Sequence, residues 1–148
     1  MTGNQPFGPV EQQALVAEIA GELAKALPQG WGRLIIDARM LGRHNELAIG
    51  LRLLDGSFDD SWSLPEPIWH KFQDLRYGMY TPGLGTWLEC SFILDPPMRF
   101  QVNYNRDEPP KFTRQPTKQD FETEARWHPR ADEHTPDWLR AGLEGSAE

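Results

Sequence analysis

The chain has 148 residues, a net charge of −7 and a hydrophobic content of 39%, which together indicate one globular domain and exclude a disordered chain. It lacks the run of Lys and Arg needed to neutralise phosphates, so charge counts against nucleic acid and anionic membranes as partners. Its single cysteine, Cys90, excludes an internal disulfide. No signal peptide or long apolar run is recognisable, so we expect a cytoplasmic protein.

The N-terminal segment contains one clear helix. Residues 1–8 are small and polar and are expected to form a flexible lead-in to a single domain over 9–148. Over 9–27, apolar side chains recur every four residues, which predicts an amphipathic helix: Leu15, Ile19, Leu23 and Leu27. Pro9 suits its first turn, and Pro28 ends it.

A β-hairpin is predicted next. Residues 31–41 are rich in branched side chains and 42–45 are typical of a turn. In the following run, Leu47, Ile49, Leu51 and Leu53 alternate with less apolar residues, so we expect them to share the buried face of the second strand.

An acidic loop and a second helix separate this hairpin from the next. The loop contains DGSFDDSWSLPEP, and over 67–80 apolar residues recur at helical spacing. Asp55, Ser57 and Asp59 also match the first positions of a calcium loop, but Asp60 stands where that loop needs glycine. A solvated acidic loop is therefore the better interpretation.

The second hairpin shows the clearest alternation. Over 86–94, the pattern places Cys90 among core residues and Trp87 on the polar face with Glu89 and Ser91. After the turn DPP, the second strand is expected to bury four alternate residues: Met98, Phe100, Val102 and Tyr104. Because Cys90 is predicted to be buried, it is a poor candidate for a reactive nucleophile.

The tail is Pro-rich and contains two short helical segments. QDFETEARW predicts a helix, and a last one is expected to start at Thr135 and Pro136, with Thr135 as its cap. Large apolar side chains are expected to attach the tail to the body: Phe121, Trp127, Trp138 and Leu139. The element order α-β-β-α-β-β-α(-α) predicts an α+β fold with a four-stranded antiparallel sheet built from two hairpins.

Recognisable catalytic or metal-binding patterns are missing from the sequence. The histidines lack the spacing of a zinc site, no G-x-S-x-G nucleophile motif occurs, and paired acids such as Asp59–Asp60 are adjacent in loops instead of converging. We therefore predict no catalytic residue, no metal and no cofactor, and a protein-binding module is favoured over an enzyme.

One segment is typical of a contact surface. NYNRDEPPKF leaves the end of the last predicted strand with mixed polar side chains and is then stiffened by two prolines. An equally good interpretation is that the prolines simply protect the sheet edge from aggregation.

The C-terminal part resembles a known family. The runs SFILDPPMRFQVNYNRDEPPKF, FETEARWHPR and TPDWL resemble bacterial immunity proteins of polymorphic toxin systems, in particular the YezG-like antitoxin group. The matching positions are Asn103, Tyr104, Asn105, Asp107, Trp127, Pro129, Arg130, Pro136 and Trp138. The resemblance implies a protein that binds and neutralises a cognate secreted toxin.

These observations lead to three hypotheses about function. The first is an immunity protein, a monomer or weak homodimer, whose partner is a protein toxin such as a basic nuclease or nucleotide-degrading enzyme. The candidate partner-binding residues are Asp59, Asp60, Trp62, Asn103, Asn105, Asp107 and Glu108. The alternatives are an acidic secretion-type chaperone that binds an effector and a small enzyme with a carboxylate site.

Overall fold

The computed structural model describes residues 8–145 and confirms the predicted α+β fold. Its helices are α1 (Pro9–Ala26), α2 (Glu66–Gly78), α3 (Lys118–Trp127) and α4 (Asp137–Glu144). Its strands are β1 (Trp31–Leu41), β2 (His44–Leu53), β3 (Glu89–Asp95) and β4 (Arg99–Asn105). A short 3₁₀ turn at Asp132–His134 was not predicted. Most of the predicted lead-in, residues 1–7, lies outside the described residues.

The four strands form one antiparallel sheet with the order β2-β1-β3-β4. Each hairpin pairs its own strands, and β1 also pairs with β3, so β2 and β4 are the edge strands. The first turn is shorter than predicted, because His44 already pairs with Leu41 and leaves only Gly42 and Arg43 between the strands.

The main core lies between one face of the sheet and the helices α1 and α2. Its fully buried side chains include Ile19, Leu23, Leu34, Ile36, Phe72, Leu75, Phe92 and Leu94. Burying one such side chain stabilises a fold by about 1.5–3 kcal/mol. Cys90 belongs to this core, as predicted, and its burial, followed by the charge of Asp37, raises the pKa of the thiol.

Three side chains differ from the predicted alternation. Trp87 is 2% exposed and packs in the core, because β3 begins only at Glu89 and the alternation does not extend back to residue 87. Met98 is 42% exposed, because it belongs to the turn before β4. Leu47 is 40% exposed on an edge strand, whereas Ile49, the next residue of that set, packs against the core.

The tail forms a second, smaller core at one end of the sheet. Leu41, the last residue of β1, and Leu88, just before β3, are buried with Phe121 of α3 and Leu139 of α4. Trp138 packs against this cluster, as predicted. The tail is therefore part of the folded domain.

The two tail helices begin in different ways. Thr117 and Asp120 form a reciprocal capping box at the start of α3. The predicted cap of α4 is wrong: Pro136 is its N-cap residue, and the Thr135 hydroxyl donates to Ala131 O. Trp127, expected to attach the tail to the body, stays 46% exposed and stacks with the guanidinium of Arg43.

Candidate partner-binding face

The sheet face that α1 and α2 do not cover carries the alternate residues of all four strands. Because the strands are in register, these residues form rows that cross the sheet from β2 to β4. The rows are Arg52, Arg33, Asp95 and Arg99; Gly50, Ile35, Ile93 and Gln101; Ala48, Asp37, Ser91 and Asn103; and Glu46, Arg39, Glu89 and Asn105. We call the first three rows the open face.

The first row of the open face is positively charged. Arg33 donates from Nε and Nη2 to the two carboxylate oxygens of Asp95, at 2.8 and 3.0 Å. These hydrogen bonds, followed by the charges of Arg33, Arg99 and Arg52, lower the pKa of Asp95. Three guanidinium groups thus share the row with a single carboxylate on a chain whose net charge is −7.

At the centre of the open face, two isoleucine side chains lie among small residues. Ile35 is 36% exposed and pairs with Ile93 on one side and Gly50 on the other. Ala48 and Ser91, in the next row, add little height above the backbone. Five cavities of about 340–610 Å³ lie elsewhere on the described part of the chain, and no residue of the open face lines them. A broad, shallow surface of this kind suits a protein partner.

The fourth row is closed by the loop 106–117. The backbone N–H groups of Thr113 and Arg114 donate to the carboxylate of Glu46 at 2.8 and 3.1 Å. Burial raises the pKa of Glu46, but hydrogen bonds from Thr113, His44 and Arg114 outweigh it and lower the pKa to about 2. The loop therefore sets one boundary of the open face.

Three of the predicted partner-binding residues lie in the loop after β2. Asp59 accepts hydrogen bonds from the backbone N–H and the hydroxyl of Ser61, at 2.8 and 2.7 Å, and these bonds lower its pKa. Trp62 is half-buried, packs against the core and donates from Nε1 to Ala26 O at 3.1 Å. Asp60 is exposed. The Asp59 carboxylate is therefore bonded within its own loop, Trp62 holds the loop on the body, and Asp60 is the most exposed of the three.

The other four predicted residues lie at the end of β4. Asn103 is exposed within the open face. Asn105 is bonded to the next turn, because its side chain accepts from Glu108 N and donates to Glu108 O, at 3.0 and 2.9 Å. Asp107 accepts from Arg130 Nη1 at 3.0 Å, and its carbonyl accepts from Trp138 Nε1 at 2.8 Å.

The structure does not bring these two groups of residues together. The loop containing Asp59 follows β2 at one edge of the sheet, whereas Asn105 ends β4 at the opposite edge. The edges are three strand spacings apart, roughly 14 Å. The two groups also lie towards opposite ends of the sheet, because Asp59 N donates to Leu51 O, beside the first row, whereas Asn105 is in the fourth row. The predicted residues therefore do not form one continuous surface.

Sequence reasoning missed the arginine row and the apolar centre of the open face. The alternation identified the polar positions of each strand separately, including Arg52 and Arg99. It gave no sign that Arg33 and Asp95 would stand between them, because this depends on β1 pairing with β3.

A buried ionic cluster joins the tail to α2. Arg76 Nη2 lies 2.6 Å from Glu124 Oε1, and both side chains are more than nine-tenths buried. The same carboxylate accepts from Gly42 N at 2.8 Å, and Arg76 Nε donates to Trp87 O at 2.8 Å. The cluster thereby ties α3 to α2, to the first hairpin turn and to the segment before β3.

This cluster is the nearest approach to a catalytic carboxylate among the described residues. Burial raises the pKa of Glu124, but the charge of Arg76 and the hydrogen bonds outweigh it and lower the pKa to about 2. His128 Nδ1 lies 3.5 Å from Glu124 Oε2, which is too long for a strong hydrogen bond. A general acid needs a raised pKa, so this arrangement fits a structural role.

The described part of the chain offers no metal-binding cluster and no membrane-spanning helix. Among residues 8–145, no group of three His, Cys, Asp or Glu side chains converges to hold a metal ion. Within the same range, every helix is too short or too polar to cross a membrane. In comparisons with known proteins, no family model and no curated sequence matches the chain.

Proposed function

We propose that this chain is an immunity protein that binds a cognate secreted bacterial toxin domain and blocks its activity. The observation that supports the proposal is the open face, where no other described segment covers the apolar centre at Ile35 and Ile93. An uncovered sheet face with apolar side chains at its centre favours contact with another protein.

Two further observations agree with this proposal. The C-terminal runs resemble immunity proteins, and the positions that carry the resemblance include Arg130 and Asp107, which are joined by an ion pair at 3.0 Å. That pair belongs to the architecture that fixes loop 106–117 beside the open face. The acidic charge of the chain suits encounter with a basic toxin, because opposite net charges accelerate association.

The test is binding and neutralisation. We expect the gene directly upstream to encode a large secreted protein, and the probe is the C-terminal domain of that protein. Equimolar chain should form a complex with this domain, abolish its activity and rescue cells that produce it. The C-terminal domain of an unrelated secreted toxin serves as the control. Failure to form the complex at micromolar concentrations contradicts the proposal.

A secretion-type chaperone is the second candidate, and the element order α1-β1-β2-α2-β3-β4 is the observation that favours it. Such chaperones are usually dimers, so light scattering separates the two candidates. An immunity protein of the kind proposed is expected to be a monomer or weak homodimer when free. A tight dimer that leaves an apolar groove exposed would support the chaperone.

A further inference from the structure

The charge on the open face is opposite to the charge of the whole chain. Its first row holds Arg33, Arg52 and Arg99 against the single carboxylate of Asp95. Arg33 is committed to that carboxylate by two hydrogen bonds. Among the ion pairs of the described residues, none includes Arg52 or Arg99. The guanidinium groups of Arg52 and Arg99 can therefore bind the carboxylates of a partner at this end of the face.

The residues of the second and third rows determine which segment of a partner can bind beside these arginines. Ile35 and Ile93 supply apolar contact, and Gly50 lets a partner approach the backbone closely. Asp37 and Asn103, in the third row, carry no positive charge. A nucleic acid needs a continuous basic track, whereas this face offers basic groups at one end only.

We infer that the open face is the toxin-binding surface and that it receives a segment of the toxin with apolar side chains and an acidic end. The apolar part lies over Ile35 and Ile93, and the carboxylates meet Arg52 and Arg99. Guanidinium groups bind carboxylates in a planar, two-pronged geometry, which fixes the orientation of such a segment. This inference rests on the proposed function and names the surface and the partner chemistry for it.

With the open face as the binding surface, the predicted acidic residues no longer form the contact surface itself. Asp59 and Asp107 are engaged within the chain by Ser61 and Arg130. Asp60 and Glu108 remain exposed, but they lie at opposite corners of the sheet. Acidic loops of this kind guide the approach of a basic toxin, while the open face makes the short-range contacts.

The test compares two double variants of equal charge. Arg52→Glu/Arg99→Glu reverses the basic row, and Lys25→Glu/Arg126→Glu makes the same change at exposed positions on α1 and α3. The probe is the upstream toxin's C-terminal domain, and Kd is measured by calorimetry at 0.15 M salt. We expect the basic-row variant to weaken binding at least about tenfold and the control to stay within about twofold. Urea unfolding of both variants confirms that they fold.

Three other outcomes would contradict either the surface assignment or the proposed function. If the wild-type chain binds the toxin domain and both double variants bind equally well, the surface assignment is wrong and the proposed function stands. If the wild-type chain does not bind, the proposed function fails first. If Arg52→Glu/Arg99→Glu instead abolishes binding to duplex DNA, or converts a wild-type dimer to a monomer in light scattering, the face serves nucleic acid or a second copy of the chain.

Discussion

The guanidinium of Arg76 and the carboxylate of Glu124 form a buried ion pair, with Nη2 and Oε1 2.6 Å apart. Arg76 is on α2, which packs over the main core, and Glu124 is on α3 in the tail. The pair therefore connects the second core to the first. A buried charge without its partner is costly, so this connection depends on both members.

Glu124→Gln should strongly destabilise the protein. The neutral side chain keeps an acceptor for Gly42 N but leaves the Arg76 charge buried without a counter-ion, at a cost of about 3–5 kcal/mol. Urea unfolding at neutral pH measures the change. The matched control is Glu122→Gln on the same helix, where the side chain is 53% exposed, and the expected effect is within about 0.5 kcal/mol. Equal effects in the two variants would contradict a structural role for the pair.

The same carboxylate should make the protein sensitive to acid. Its pKa is lowered from 4.5 to about 2 in the folded protein, so the folded state binds its proton less readily than the unfolded state does. The stabilisation is complete above about pH 4.5 and is lost as the pH falls toward 2. The pKa of Glu46 is also lowered from 4.5 to about 2, so this carboxylate contributes to stability over the same pH range.

The free energy of unfolding should therefore decrease between pH 4.5 and pH 2, and decrease less steeply in Glu124→Gln. Denaturant titrations at several pH values measure both slopes. Parallel curves for the wild-type chain and the variant would show that folding does not change the protonation of Glu124 in this pH range.

Two helical glycines should respond to alanine in opposite directions. A Cβ at Gly142 would overlap the ring of Phe121 in the small core, so Gly142→Ala should cost about 1–3 kcal/mol. At Gly21 in α1 the nearest atom is Met98 Cε at 3.6 Å, so Gly21→Ala should stabilise by about 0.5–1 kcal/mol through helix propensity. Thermal unfolding compares the two. A stabilised Gly142→Ala would mean that α4 does not pack closely on α3.

Helices and strands whose formation depends on the spacing of nearby residues could be predicted from the sequence. The spacing of Leu15, Ile19 and Leu23 is sufficient for α1, because an amphipathic helix needs only an apolar stripe to pack. The alternation around Cys90 likewise placed that side chain in the core. The same rule failed at Trp87, since alternation holds only within a strand and β3 starts two residues later.

The candidate site depended on contacts that the sequence does not encode locally. Each strand has two faces, and which face α1 and α2 cover follows only from the assembled fold. The row of Arg52, Arg33 and Arg99 required the strand order β2-β1-β3-β4. The predicted loop residues had no such geometric support, and three of them, Asp59, Trp62 and Asp107, proved to be bonded within the chain.

A toxin domain bound at the open face should protect a cysteine introduced there from alkylation. The native Cys90 is fully buried, so the unaltered chain should resist alkylation and serves as the background. Asn103→Cys places a thiol on the open face, and Lys25→Cys places one on the exposed side of α1, which covers the other face of the sheet.

Alkylation rates are measured with and without saturating toxin domain. We expect the toxin to slow labelling of Asn103→Cys by at least about tenfold, because a partner bound at the open face excludes solvent from it, and to leave Lys25→Cys nearly unchanged. Protection of Lys25→Cys with free labelling of Asn103→Cys would contradict binding at the open face.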